Sequence, residues 1–208
     1  MTLTADHLVY AVNDLDAGIE GIEELLGVRA APGGSHTGMG TRNALLSLGV
    51  GVYLEIIAPD PAQPTSAMPL PWGIGTLPAG RLVTWAARVR GIHDVVKRST
   101  EHGYDPGPVM PMSRELPDGT RLEWKLSVMR PAPADGLVPF LIEWGAGSHP
   151  ARTAPSGCSL LDLEAEHPHP ELVTPLLDAL GADLQVCEGA RAALLATIAC
   201  PNGTVFLS

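Results

Sequence analysis

The sequence predicts an α+β fold assembled from repeated strand–helix–strand–strand–strand units, and three observations predict it. A short apolar strand-like run followed by a helical period occurs three times, opening at His7, Arg81 and Cys158. Each helical stretch is followed by strand-like runs parted by Gly, Pro, Asn or Asp, the residues that turns require. The pattern returns at roughly 75-residue spacing, which marks one supersecondary unit used repeatedly. One helix per βαβββ unit covers one face of a curled sheet. The other face must therefore be covered by a neighbouring unit or enclose a pocket.

The elements follow in order. His7 to Val12 is short, apolar and rich in β-branched and aromatic residues, so it reads as a strand. Asn13 or Asp14 can cap the helix that follows, Leu15, Ile19, Ile22 and Leu25/Leu26 recur at helical spacing, and Gly27 ends it. "NALLSLG" and "GVYLEIIAPD" are two strands joined by a Gly-rich hairpin. In the second unit "RLVTWAARV" (Arg81–Val89) is a strand, and "GIHDVVKRSTEHG" is a helix stopped by Gly103. "RELPDGTRLEWKLSVM" is a hairpin through Pro117-Asp118-Gly119, and "GLVPFLIEWG" is the closing strand. In the third unit "CSLLDLEAE" is a strand, and "HPELVTPLLDALGA" is a helix with Pro168 and Pro170 near its start, where proline is tolerated. "ADLQV", "ALLATIAC" and "TVFLS" complete it. The boundaries are residues 1–62 for the first module, 63–80 for a Pro-rich connection, 81–150 for the second module and 151–208 for the third unit. The connection carries Met68, Trp72, Ile74 and Leu77, and so reads as an ordered loop that lids the pocket.

Composition narrows the function. The 208 residues suffice for one large domain or two small ones, and 45% apolar content is ordinary for a globular chain. A formal charge of -10 disfavours nucleic acid and anionic membrane as partners. The start has no signal-peptide pattern, and no apolar run approaches a membrane span, so a cytoplasmic protein is expected. Cys158, Cys187 and Cys200 have no CxxC spacing and an odd count, which argues against a disulfide framework; they read as core fillers. A monomer or homodimer is expected.

Four strings, "DHLVYAVNDLD", "GGSHTGMGTRNALLSLGVGVYLEIIAPD", "RELPDGTRLEWKL" and "PFLIEWG", resemble the glyoxalase-like domain family of the vicinal oxygen chelate superfamily. The resemblance covers roughly residues 5–150, and the third unit by pattern only. It implies paired βαβββ modules whose sheets curl around a shared cavity. In metal-using relatives it implies ligands from the first and last strands of each module.

Glu55 is a lone carboxylate in an apolar strand, and an unpaired buried carboxylate costs several kcal/mol, so it needs a partner, a proton or a metal. Glu143 occupies the matching strand of the second module, and His7 lies on the first strand. Carried over by resemblance, His7, Glu55 and Glu143 are the candidate ligands of a divalent cation of unspecified identity, with Glu55, Glu143 and His36 as catalytic groups. The first strand of the second module departs from the family pattern: it offers no His, Glu or Asp, and Thr84 is a poor substitute. Asn43, beside the Gly-rich run that bears His36 and Thr41, is a candidate substrate contact. Arg114, Trp124 and Trp144 form a candidate polar and aromatic wall. Arg114 is alternatively the ion-pair partner of Glu55 or Glu143. His93, His102, His149, His167 and His169 read as solvated. No nucleotide-binding loop is present in a strand–helix context. Two functions follow: a metal-assisted lyase, isomerase or oxygenase acting on a small oxygenated molecule, or a metal-free protein that sequesters a small aromatic compound.

Overall fold

Each helix starts and stops where its sequence permits. In the computed structural model, which describes residues 3–36, 38–63, 70–115 and 121–208 without the side chains of 114 and 115, helix α1 spans Leu15–Leu26. Asp14 caps it by accepting from the Ala17 N–H, and Gly27 closes it at φ 76°, a left-handed conformation that disfavours a side chain. The Asn202 amide donates to the carbonyls of Glu24 and Leu25 at 3.0 and 3.2 Å, which satisfies two acceptors that the helix end leaves open. Helix α2 (Ile92–Glu101) starts after Gly91. Helix α3 (Pro170–Leu180) begins with a proline and ends at Gly181 in the left-handed region.

The strands, in chain order, are β1 (Thr4–Ala11), β2 (Ala31–His36), β3 (Thr41–Ser47), β4 (Tyr53–Pro59), β5 (Arg81–Arg88), β6 (Val109–Glu115), β7 (Arg121–Ser127), β8 (Phe140–Trp144), β9 (Ser159–His167), β10 (Gln185–Glu188), β11 (Ala193–Cys200) and β12 (Gly203–Leu207). The fold is α+β. The run β1-α1-β2-β3-β4 is one βαβββ module, β5-α2-β6-β7-β8 is a second, and β9-α3-β10-β11-β12 repeats the element order.

The chain forms two compact units. Unit one comprises Leu8–Val83, Ser148–Asp162 and Ala196–Ser208; unit two comprises Met1–His7, Thr84–Gly147 and Leu163–Leu195. In unit one the strand order is β2-β3-β4-β1. β3 and β4 are antiparallel, with Leu45 opposite Glu55 and Asn43 opposite Ile57. Helix α1 covers one face. Arg42 on β3 reaches Asp16 on the helix at 3.6 Å, and the residues on that face, Ala44, Leu46, Leu54 and Ile56, have no exposed surface. Alternation therefore places Thr41, Asn43, Leu45, Tyr53, Glu55 and Ile57 on the face turned away from α1.

Strand β2 is not among the elements that the sequence predicts. "APGGSH" has no β-branched or aromatic residue and carries one Pro and two Gly, which weaken a strand reading. It forms because it is an edge strand paired only with β3, and its register shifts between Pro32 and Gly34. In the connection, Asn13 binds Leu77 like a backbone partner: its amide donates to the Leu77 carbonyl at 2.7 Å and its oxygen accepts from the Leu77 N–H at 3.1 Å. Ile74 and Leu77 are buried. Met68, expected to help order this loop, lies outside the described residues.

In unit two the order is β5-β8-β7-β6. β8 runs parallel to β5 and antiparallel to β7, with Lys125 opposite Glu143 and Trp124 opposite Trp144. The expected Pro117-Asp118-Gly119 turn between β6 and β7 lies outside the described residues. Trp85 on β5 is a core residue, 1% exposed, whose indole N–H donates to the Leu137 carbonyl at 2.8 Å. The third helix is wired differently from the other two. β10, which follows α3, pairs directly and in parallel with β9, which precedes it. In the second module the strand after the helix, β6, pairs instead with β7 at the far edge.

Candidate functional site

In unit one the partner of Glu55 is Asn43. The two sit diagonally across the β3–β4 ladder on the face opposite α1, and the Asn43 amide donates to Glu55 Oε1 at 2.5 Å. His36, at the end of β2, completes the group. Its Nδ1 lies 2.9 Å from Thr41 Oγ1, and its Nε2 lies 3.1 Å from the Asn43 amide nitrogen and 3.5 Å from Glu55 Oε1. The four side chains are brought together by register alone: His36 is opposite Thr41 on the β2–β3 ladder, and Asn43 is two residues further along β3.

This arrangement has two proton states. With His36 neutral, Nδ1–H donates to Thr41 and Nε2 accepts from one Asn43 hydrogen while the other goes to Glu55. A proton on Nε2 would make His36 a cation 3.5 Å from the Glu55 carboxylate and would end the bond that Nε2 accepts from Asn43. Both side chains are mostly sheltered, at 18% exposure for His36 and 11% for Glu55, so water screens their interaction weakly. The Asn43 Oδ1 is buried and has no hydrogen-bond partner among the described residues. Gly33 leaves room for it: a Cβ placed there would overlap that oxygen. In the sequence Gly33 is one of many glycines, and nothing there marks it as a site residue.

The second expected carboxylate, Glu143, is in unit two and is committed elsewhere. It accepts from the N–H of Gly91 at the start of α2, and it lies 3.4 Å from Lys125 Nζ. A carboxylate there complements the positive end of the helix dipole. His7 also belongs to unit two. Its Nδ1 lies 2.8 Å from Asp6 Oδ1, and its ring meets Phe140 edge-on at 5.4 Å. Asp6, which is not among the sequence-predicted residues, is the hub here. It has no exposed surface, and its Oδ2 accepts from Arg88 Nε at 2.7 Å and from Trp144 Nε1 at 3.0 Å. The adjacency of Asp6 and His7 at the start of a strand is the available signal. Trp124 and Trp144 pack at 5.5 Å between ring centroids and line a cleft of about 480 Å³ with Met112, Arg121 and Lys125. The Arg114 side chain lies outside the described residues, so neither of its expected roles is placed.

Among the described residues no three His, Cys, Asp or Glu side chains converge as a metal-holding group. Of the expected set, Glu55 lies in unit one, and His7 and Glu143 lie in unit two. Glu143 binds the Gly91 N–H and faces Lys125, His7 faces Asp6, and Glu55 faces His36. Three expectations change, the first being His167, whose side chain is 12% exposed rather than solvated. His149 is not merely solvated, since its Nδ1 accepts from the Ala151 N–H and its ring packs against Tyr53. Cys187 is exposed rather than a core filler.

Residues 5–181 match the glyoxalase-like domain family. The chain belongs to that family. A solved structure, a hypothetical protein from Staphylococcus aureus, shares the fold over nearly the whole chain. The two share 17% identity over 98% of this chain and 84% of that one, at a TM-score of 0.63. Methylmalonyl-CoA epimerase from Mycobacterium tuberculosis is similar at 22% identity over 67% of this chain and 86% of its own, TM-score 0.42. A Streptomyces coelicolor methylmalonyl-CoA epimerase variant in complex with 2-nitronate-propionyl-CoA is similar at 18% identity over 70% of this chain and 100% of its own, TM-score 0.44. The first likeness shows the fold, and the two epimerases carry no argument about this chain's activity. No curated protein matches. Among the described residues no helix is long and apolar enough to cross a membrane.

Proposed function

We propose that this glyoxalase-like protein is an enzyme of the isomerase or lyase type that moves a proton at a carbon beside a carbonyl in a small oxygenated organic molecule. Glu55 is the base. The observation that carries the reading is the sheltered His36–Asn43–Glu55 chain. The Asn43 amide hydrogen bond fixes the direction of the carboxylate, as a positioned base requires. His36, 3.5 Å away, is a second place for that proton. The step removes a C–H proton to Glu55 and leaves the electron pair on the substrate as an enolate. Return of the proton to a neighbouring atom, or to the other face of the same carbon, completes an isomerisation; loss of a leaving group completes an elimination.

The test is solvent deuterium exchange. A panel of 2-oxo acids, 2-hydroxy ketones and acyl thioesters is incubated with the protein in deuterium oxide, and C–H loss is followed by NMR. At least one compound class exchanges faster with the native protein. Glu55→Gln loses that acceleration by about a hundredfold or more, the range expected for one general base. A second reading, a metal-free protein that sequesters a planar compound, is favoured by the Trp124–Trp144 cleft in unit two. It predicts tryptophan fluorescence quenching by aromatic ligands, unchanged in Glu55→Gln, with no exchange in any compound class.

A further inference from the structure

We propose that Cys158 and Cys200 form a reversible cross-strand disulfide, an oxidation site that ties the start of β9 to the end of β11 in unit one. β9 and β11 are neighbours in their sheet. Cys158 immediately precedes β9, and Cys200 is the last residue of β11. Their flanking residues meet: a Cβ built on Gly157, one position before Cys158, lies 4.0 Å from Pro201 Cγ, one position after Cys200. With β9 and β11 antiparallel, that contact would place Cys158 across from Cys200. Residues directly opposite on antiparallel strands have Cα atoms about 4.5–5.5 Å apart and side chains on the same face. A disulfide spans Cα separations of about 4.4–6.8 Å, so a facing pair on these neighbouring strands is within its reach.

The two thiols are unequal, and this sets the order of events. Cys158 is buried at 4% exposure. Burial, and to a smaller degree the nearby Cys200, pushes its thiol up to about 11, so it is held as the unreactive thiol. Cys200 is half-buried, and its thiol donates to the Gly203 carbonyl at 3.3 Å. The oxidant is a low-molecular-weight disulfide. Cys200 thiolate attacks one sulfur, forms a mixed disulfide and expels one thiolate. Cys158, deprotonated as the adduct is resolved, then attacks the Cys200 sulfur and expels the second thiolate. The two cysteine protons leave with the two released thiols, and the oxidant is reduced by the two electrons that the pair loses.

The consequence reaches the site face of unit one. The chain on either side of Cys158 is bonded to the end of β3 and the residue after it: Ser47 N–H donates to the Pro155 carbonyl at 2.8 Å, and Leu160 N–H donates to the Leu48 carbonyl at 2.9 Å. The same segment carries His149, whose ring packs on Tyr53 of β4, two residues from Glu55. Oxidation fixes that cover in place.

The experiment uses the full chain with Cys187→Ser, which removes the exposed thiol on β10. The protein is equilibrated in buffers of increasing oxidised-to-reduced glutathione ratio, then alkylated and digested. The expected result is loss of two hydrogen masses and a Cys158–Cys200 linked peptide, with the melting temperature raised by about 10 °C through the constrained unfolded chain. Cys158→Ser in the same background stops at a glutathione adduct on Cys200. If the Cys187→Ser protein accumulates a stable Cys200 adduct with Cys158 still alkylatable, or stays fully reduced at every ratio, the proposal is overturned.

Discussion

Replacing Gly33 by alanine tests whether the site is as rigid as its geometry implies. The new methyl would overlap Asn43 Oδ1 and stand 3.1 Å from both Asn43 Cγ and Leu45 Cγ. A clash with the end of a side chain is cheap only when that side chain can swing away. Asn43 is 5% exposed and is held through its other amide atom by Glu55 at 2.5 Å and His36 at 3.1 Å. Forcing a methyl into such packing costs about 1–3 kcal/mol, and losing a hydrogen bond to a charged group costs about 1.5–3 kcal/mol. The expected destabilisation is therefore about 2–4 kcal/mol, read as a shift of the urea midpoint at constant slope. The sign is informative, because glycine to alanine at a tolerant position stabilises by about 0.4–1 kcal/mol. Asn43→Ala should relieve most of the clash, so the double variant should be more stable than the sum of the single changes predicts. A Gly33→Ala protein as stable as the native one, or more so, refutes the idea that Asn43 is locked.

Three further outcomes follow from other parts of the structure. Asp6→Asn should destabilise by about 3 kcal/mol in chemical denaturation, because it removes the buried charge that Arg88 and His7 face; the low end of the buried-pair range applies, since the Arg88 side chain is 34% exposed. Asn13→Ala removes both bonds to Leu77 and should cost about 1–2 kcal/mol while speeding proteolysis between residues 70 and 80. Asp60 is held below the usual aspartate range by hydrogen bonds from Gln63, Ser35 and the Ala62 N–H. A lowered folded-state value means that its contribution is full above the unfolded value of about 3.9 and is lost as pH falls through the folded value. Asp60→Asn should therefore flatten the stability profile only below about pH 4; a changed slope at neutral pH would contradict the assignment.

The periodic elements are legible in the sequence because burial enforces periodicity. β4, β5, α1 and α2 can be read to within a residue or two, since one apolar face each must meet a core. β2 cannot, because "APGGSH" folds as a strand through its edge pairing with β3 and not through propensity. The same distinction governs the site. Glu55, His36 and Asn43 are visible as polar residues in or beside apolar strands, and the β2–β3–β4 register draws them together. What escapes is relational. Asp6 gains its importance from Arg88 and Trp144, which are 82 and 138 residues away in sequence. Glu143 matches Glu55 in its repeat position, but the N–H of Gly91 at the start of α2 binds it. Pseudo-repeat symmetry equates positions, whereas the chemistry of each depends on neighbours that the repeat does not copy.

The central claim is that the Glu55 carboxylate is held for reaction rather than for stability. Glu55→Gln keeps the size of the side chain and an oxygen for Asn43 to donate to, while removing the charge. The decisive measurement places the stability of this variant beside its rate of substrate C–H exchange. The account predicts a stability within about 1 kcal/mol of native and exchange reduced by about a hundredfold or more. A loss of about 3–5 kcal/mol in stability with exchange unaltered would identify Glu55 as a structural ion-pair member and contradict it.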